Sequence, residues 1–270
     1  PLTESEILEG KRGTAVEYFK VPLDERNMPL KMGRDELGNL LSPLKFTSFA
    51  GFDPPQFADT DDVEEPSMQA GYIINLHDER KNIAFRELVT KVITSEYHAR
   101  PNLAQAAYED VVKMIIYHGC LTAVEANSPS TYTRLKNEGL GNYLIVKHTE
   151  GYFCTWNIGL EDNQYKGIVR SRNASQNELM ETLIELIKHY TYRGDEGESE
   201  YARTIKSIKL LNQLIKFDPM DTRKSDCVMG FGYALLSYLV YQTELSRNVN
   251  KEIEIVYSAI WHFAHLNMLK

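Results

Sequence analysis

The apolar residues of this chain fall into runs whose spacing switches between two periods, and each switch marks a change of element. Phe46–Asp53 is a short apolar run stopped by Pro54 and Pro55. Proline cannot join a ladder and restricts its neighbour, so the run predicts a strand ending at Asp53. Gln56–Pro66 is an acidic loop, and Gln69–His77, rich in Tyr and Ile, predicts a second strand. Asp78–Asn82 has turn chemistry and Ile83–Thr94 predicts a third strand, which makes a three-stranded antiparallel meander. Over Pro101–His118 the spacing lengthens: Leu103, Ala107, Val111 and Ile115 recur on one helical face, and Gly119 closes the helix. Leu121–Glu125 predicts a fully buried strand, Thr131–Asn137 a short helix and Tyr143–His148 a fifth strand. The order to this point is βββαβαβ, an α/β pattern.

Beyond it, Tyr152–Arg170 predicts extended chain with turns at Gly159 and Gly167. Gln176–His189 is an amphipathic helix with Leu179, Leu183, Leu186 and Ile187 inward. Arg193–Glu200 is a polar, glycine-bearing loop, and Ile205–Ile215 fits either a strand or a short helix. Ser225–Gln242 predicts a buried helix and Ile253–Leu269 a terminal one. At the other end, Thr3 and Glu6 form a capping box for a helix running to about Lys11. Ala15–Leu40, broken by Pro22 and Pro29, reads as an arm or linker, and the compact part is expected to start near Leu44.

Composition narrows the picture only a little. A chain of 270 residues, 43% hydrophobic and 25% charged, has the balance of a water-soluble domain, and no 18-residue apolar window would cross a membrane. No signal peptide is expected. The three cysteines (Cys120, Cys154, Cys227) are scattered, without a C-x-x-C pair, which points away from zinc and disulfides and toward a reducing, cytosolic setting. The net charge of −8 argues against a generic nucleic-acid binder but leaves room for an acidic metal site with a local basic patch.

The candidate chemistry lies in three acids, each at the edge of an apolar segment: Asp53, Glu125 and Asp226. A carboxylate in such a place costs free energy unless it is paired or binds a cation. Asp53 and Glu125 would emerge at one sheet edge if their strands are neighbours. Ser225 is positioned to cap the late helix, which puts Asp226 in its first turn. Any one of the three is most simply a loop-edge or capping residue; together they suit two Mg²⁺ or Mn²⁺ ions about 4 Å apart and phosphodiester hydrolysis.

These motifs resemble the nuclease domain of viral (bacteriophage) genome-packaging terminase large subunits, proteins with an RNase H-like fold. The resemblance is carried by Gly51-Phe52-Asp53-Pro54, by Val124-Glu125-Ala126-Asn127, and by Ser225-Asp226-Cys227-Val228 running on through Tyr233-Ala234-Leu235-Leu236. It spans roughly Thr3 to Val240. It implies an RNase H-like mixed sheet with flanking helices, a three-stranded antiparallel meander joined by parallel strands. It divides the chain into an arm or linker from a missing packaging ATPase (1–43), a nuclease domain (44–245) and a C-terminal helical extension (246–270). The function implied is a metal-dependent DNA endonuclease of low sequence specificity that cuts concatemeric viral DNA in the host cytoplasm. Asp53, Glu125 and Asp226 would be catalytic and metal-ligating, and double-stranded DNA, the packaging ATPase and the portal would be partners, with no membrane.

The chain departs from that pattern in three ways. The acidic loop after Asp53 leaves Asp61, Glu64 and Glu65 as candidates for a fourth ligand, Ser225 stands where the family has a second acid, and the terminal helix has no counterpart. Two rival functions share the same residues: a resolvase or ribonuclease with the same fold, and a non-catalytic docking module of the motor.

Overall fold

A computed structural model describes residues 14–17, 34, 36, 38, 40–41, 46–54, 68–75, 92–99, 104–126, 129–155, 165–168, 178–192, 201–219 and 224–245. They form a mixed α/β unit around a five-stranded sheet. Its strands are β1 (Thr14–Glu17), β2 (Ser48–Asp53), β3 (Gln69–Asn75), β4 (Val92–Ala99) and β5 (Leu121–Val124), in the order β1-β4-β3-β2-β5. All pairs are antiparallel except β2 and β5, which run parallel. The chain passes from β4 to β5 through helix α1 (Ala104–His118), as a parallel return requires. β2, β3, β4 and β5 are buried along their whole length, and β2 and β5 accordingly read as nearly continuous apolar runs rather than alternating ones.

Two layers cover the sheet. α1 lies on one face, where Tyr97 donates to Asp110 Oδ2 at 2.7 Å and the Gln69 side-chain amide donates to the Ala107 carbonyl at 3.4 Å. The other face carries α5, helical over 226–245. It runs opposite to β2: Tyr241 packs on Phe46 and Phe49, Tyr238 on Phe49, and Ser237 donates to the Ala50 carbonyl at 2.8 Å. The contact is backbone on backbone. A Cβ on Gly51 would fall inside the main chain of Ala234, Gly230 and Tyr233, and one on Gly230 would stand 2.7 Å from the Ala70 oxygen. α3 (Glu178–Thr191) packs behind α5, with Tyr190 against Phe231 at 4.9 Å between ring centres.

A second sheet of three short strands, β6 (Ile145–His148), β7 (Phe153–Thr155) and β8 (Tyr165–Lys166), has the order β7-β6-β8. It adjoins the first through parallel bridges from Thr122 to Leu144 and from Glu125 to Ile168. Helix α2 (Pro129–Leu135) and a π-helical turn at Lys136–Leu140 lead into it.

Several expectations shift. The third strand is Val92–Ala99, not a run ending at Thr94; its polar residues Glu96 and His98 are buried, and partners within the fold replace water. The undecided stretch Ile205–Ile215 contains helix α4 (Ile208–Ile215), N-capped by Ser207, whose hydroxyl accepts from Leu210 N at 3.1 Å. Part of the expected arm belongs to the folded unit. Thr14–Glu17 is an edge strand paired with Ser95–His98, and Leu40 is buried, bonded through its backbone to Gly139 and Asn142. The helices expected near Thr3–Lys11 and Ile253–Leu269, the loops Gln56–Pro66 and Arg193–Glu200, and Asp61, Glu64 and Glu65 lie outside the described residues. Among the described residues, no helix is long and apolar enough to cross a membrane, and all three cysteines are buried free thiols.

Candidate functional site

Asp53 is the last residue of β2 and Glu125 immediately follows β5. Because these strands are parallel neighbours, the two acids leave the sheet at the same end, with the Glu125 amide donating to the Phe52 carbonyl at 3.1 Å. Alternation then decides their face. Phe49, Gly51 and Asp53 share one side of β2, and Leu121, Ala123 and Glu125 share one side of that chain segment. It is the side covered by α5, since the Tyr233 hydroxyl donates to Glu125 Oε2 at 3.0 Å. Both acids are buried, at 8% exposure for Asp53 and 1% for Glu125.

Asp226 enters from above, in the first turn of α5. Its Oδ2 accepts the Met68 backbone N–H at 2.9 Å. Met68 stands two residues before Ala70, the partner of Asp53 across the β2–β3 ladder. The three acids are thus brought to one end of one sheet by three different elements. They are not packed into a single cluster: among the described residues, no three His, Cys, Asp or Glu side chains are grouped so that they could hold a metal ion. The donor chemistry, carboxylate oxygen throughout, fits a hard divalent cation. Coordination by all three would require the carboxylates to swing toward one another.

The same face holds a group that the sequence pattern did not reveal. His98 pairs with Ala70 across the β3–β4 ladder, in line with Asp53. Its Nε2 lies 3.1 Å from Glu96 Oε2 and 3.2 Å from the Tyr72 hydroxyl, and its Nδ1 lies 3.7 Å from Cys227 Sγ. Burial, chiefly, pushes the Cys227 thiol up to about 11, with the Asp226 and Glu96 carboxylates adding to it, so the sulfur stays protonated. Burial likewise raises the Tyr72 hydroxyl far above its ordinary value. The only sequence signal for this group was Glu96-x-His98, two polar residues at strand spacing; a strand ending at Thr94 left it out of register.

His148, the last residue of β6, is a structural residue of its own turn. Its Nδ1 accepts from the Glu150 amide at 3.2 Å and its ring stacks on Tyr152 at 4.6 Å. His262 and His265 lie outside the described residues. No protein-family model matches the sequence, and a comparison with curated proteins found no match.

Proposed function

We propose that this protein is a metal-dependent DNA endonuclease with an RNase H-like core, of the kind that trims concatemeric viral DNA during genome packaging, and that Asp53, Glu125 and Asp226 are its acidic centre. The observation that carries the proposal is the placement of Asp53 and Glu125 at the ends of adjacent parallel strands, beneath the helix that opens with Asp226. The strand order, three antiparallel strands and then a parallel one reached through a helix, is compatible with that fold.

When bound, Mg²⁺ or Mn²⁺ would supply the activation of water and the neutralisation of charge at the leaving oxygen. The protein's own groups set the stage. Tyr233 orients Glu125 by donating to one carboxylate oxygen, and the Met68 amide does the same for Asp226. The N-terminus of α5 adds partial positive charge that favours ionised Asp226. Burial of Asp53 and Glu125 keeps bulk water from screening the centre. Double-stranded DNA would be the substrate, and the packaging ATPase and portal the partners.

The test is plasmid nicking with Mn²⁺ by the wild type and by Asp226→Asn. Asparagine keeps an oxygen for the Met68 amide, so the variant should unfold near the wild-type temperature and lose nicking. Retained cleavage by a clean preparation would overturn the assignment. Rates on duplex, four-way junction and RNA–DNA hybrid separate this activity from a resolvase or ribonuclease. The remaining rival is a non-catalytic docking module of the motor. Absence of Mn²⁺ binding in calorimetry would favour it over the nuclease.

A further inference from the structure

We propose that Gln213 and His98 are positioning residues for Asp226, gripping the first turn of α5 from two sides. The inference rests on the acidic centre proposed above. The first N–H groups of a helix have no partner within it. Here the Cys227 N–H donates to Gln213 Oε1 at 2.8 Å, so α4 supplies a bond that fixes this turn. On the other side the Cys227 sulfur meets His98 Nδ1.

His98 is itself held. Its Nε2 faces both Glu96 and Tyr72, and the Tyr72 hydroxyl lies 3.3 Å from Ser207 Oγ, the N-cap of α4. The contacts therefore close a ring: β4, β3, the start of α4, then along α4 to Gln213, and through Cys227 back to His98. Glu96, His98, Tyr72, Ser207 and Cys227 are all buried. Asp226 is the residue next to the point where the ring closes. The ring holds the main chain of the turn that carries Asp226, from α4 through Gln213 and from the sheet through His98, so that rotation of the Asp226 side chain alone can bring its carboxylate toward Asp53 and Glu125.

A network that only satisfies buried polar groups would, when cut, lower stability and leave the cation affinity of the folded protein unchanged. A positioning network would change that affinity as well. The experiment is a Mn²⁺ titration of the full chain followed by the electron paramagnetic resonance of free Mn²⁺, with a thermal melt on each protein. Gln213→Met keeps the length of the side chain and removes the acceptor; it should remain folded and weaken Mn²⁺ binding about tenfold or more. Gln213→Glu restores an acceptor and should recover most of that loss. His98→Leu should weaken binding in the same direction in whatever fraction stays folded, and the Gln213 pair decides the question if that variant does not fold. Asp226→Asn is the reference. If it loses Mn²⁺ while Gln213→Met binds as the wild type does, the positioning role is overturned and the acidic centre stands. If Asp226→Asn binds Mn²⁺ as the wild type does, both fall.

Discussion

At the scale of single residues, the contact between α5 and the sheet depends on having no side chain at Gly51. The main chain of Ala234, Gly230 and Tyr233 occupies the space that a Cβ would need. Backbone cannot rotate aside as the end of a flexible side chain can, so Gly51→Ala must push the helix off β2. Overpacking of a dense core costs about 1–3 kcal/mol, and this case should lie at or above the top of that range. Urea unfolding at neutral pH reads it directly; a loss below about 1 kcal/mol would mean that the helix sits less tightly than its position implies. The same displacement would carry Tyr233 away from Glu125. The glycine was legible in the sequence as part of Gly51-Phe52-Asp53-Pro54, but its reason was not. A motif shows which residue occurs, whereas the need for close approach appears only when a second element, far along the chain, is laid against it.

Among elements, what the sequence disclosed depended on how evenly each segment sampled its surroundings. α1 was plain, since one face meets the sheet and the other meets water, leaving Val111 and Ile115 buried and Lys113 exposed. β2 and β5 were equally plain as short apolar runs. β4 was misplaced because Glu96 and His98 are polar yet buried, and their solvation comes from Tyr72 and Cys227, residues that no local window contains. Helix α4 was ambiguous for the opposite reason. Ile208 and Ile215 are apolar yet 73% and 82% exposed, so its apolar positions do not trace one buried face.

The small sheet shows how a far element can settle a weak one. The Thr155 amide and hydroxyl donate to the two carboxylate oxygens of Glu244, at 2.7 and 2.8 Å, tying β7 to the last turns of α5. The other supports of β7 are the ladder with β6 and the burial of Cys154 beside Val146. Glu244→Ala should cost about 1–3 kcal/mol, the usual loss for hydrogen bonds to a charged group. It should also speed amide exchange at Phe153–Thr155 well before it affects β2 or β3. Uniform protection across both sheets would show that the small sheet is held by its apolar contacts instead.

For the whole molecule, the stability of the fold responds to pH through a group outside the proposed acidic centre, and this affects how any activity profile is interpreted. His118 ends α1, on the layer opposite α5, and is 7% exposed. The C-terminal end of a helix favours an imidazolium, yet burial outweighs it and lowers the imidazole from 6.5 to about 4. The folded state therefore keeps His118 neutral over a range where the unfolded chain protonates it. Stability from this group is complete above about pH 6.5, falls as the pH drops, and is gone below about pH 4. The gap between the two values corresponds to roughly 3 kcal/mol, as an order of magnitude. His118→Gln removes the titration. Its unfolding free energy should therefore fall less between pH 7 and pH 4.5 than that of the wild type, by about 2–3 kcal/mol. Equal slopes for the two proteins would mean that the folded state protonates His118 freely. The consequence for the proposed nuclease is direct. A decline in nicking below about pH 6 that the His118→Gln substitution relieves would report partial unfolding through the far layer. Only the decline that survives the substitution reports on the proposed site.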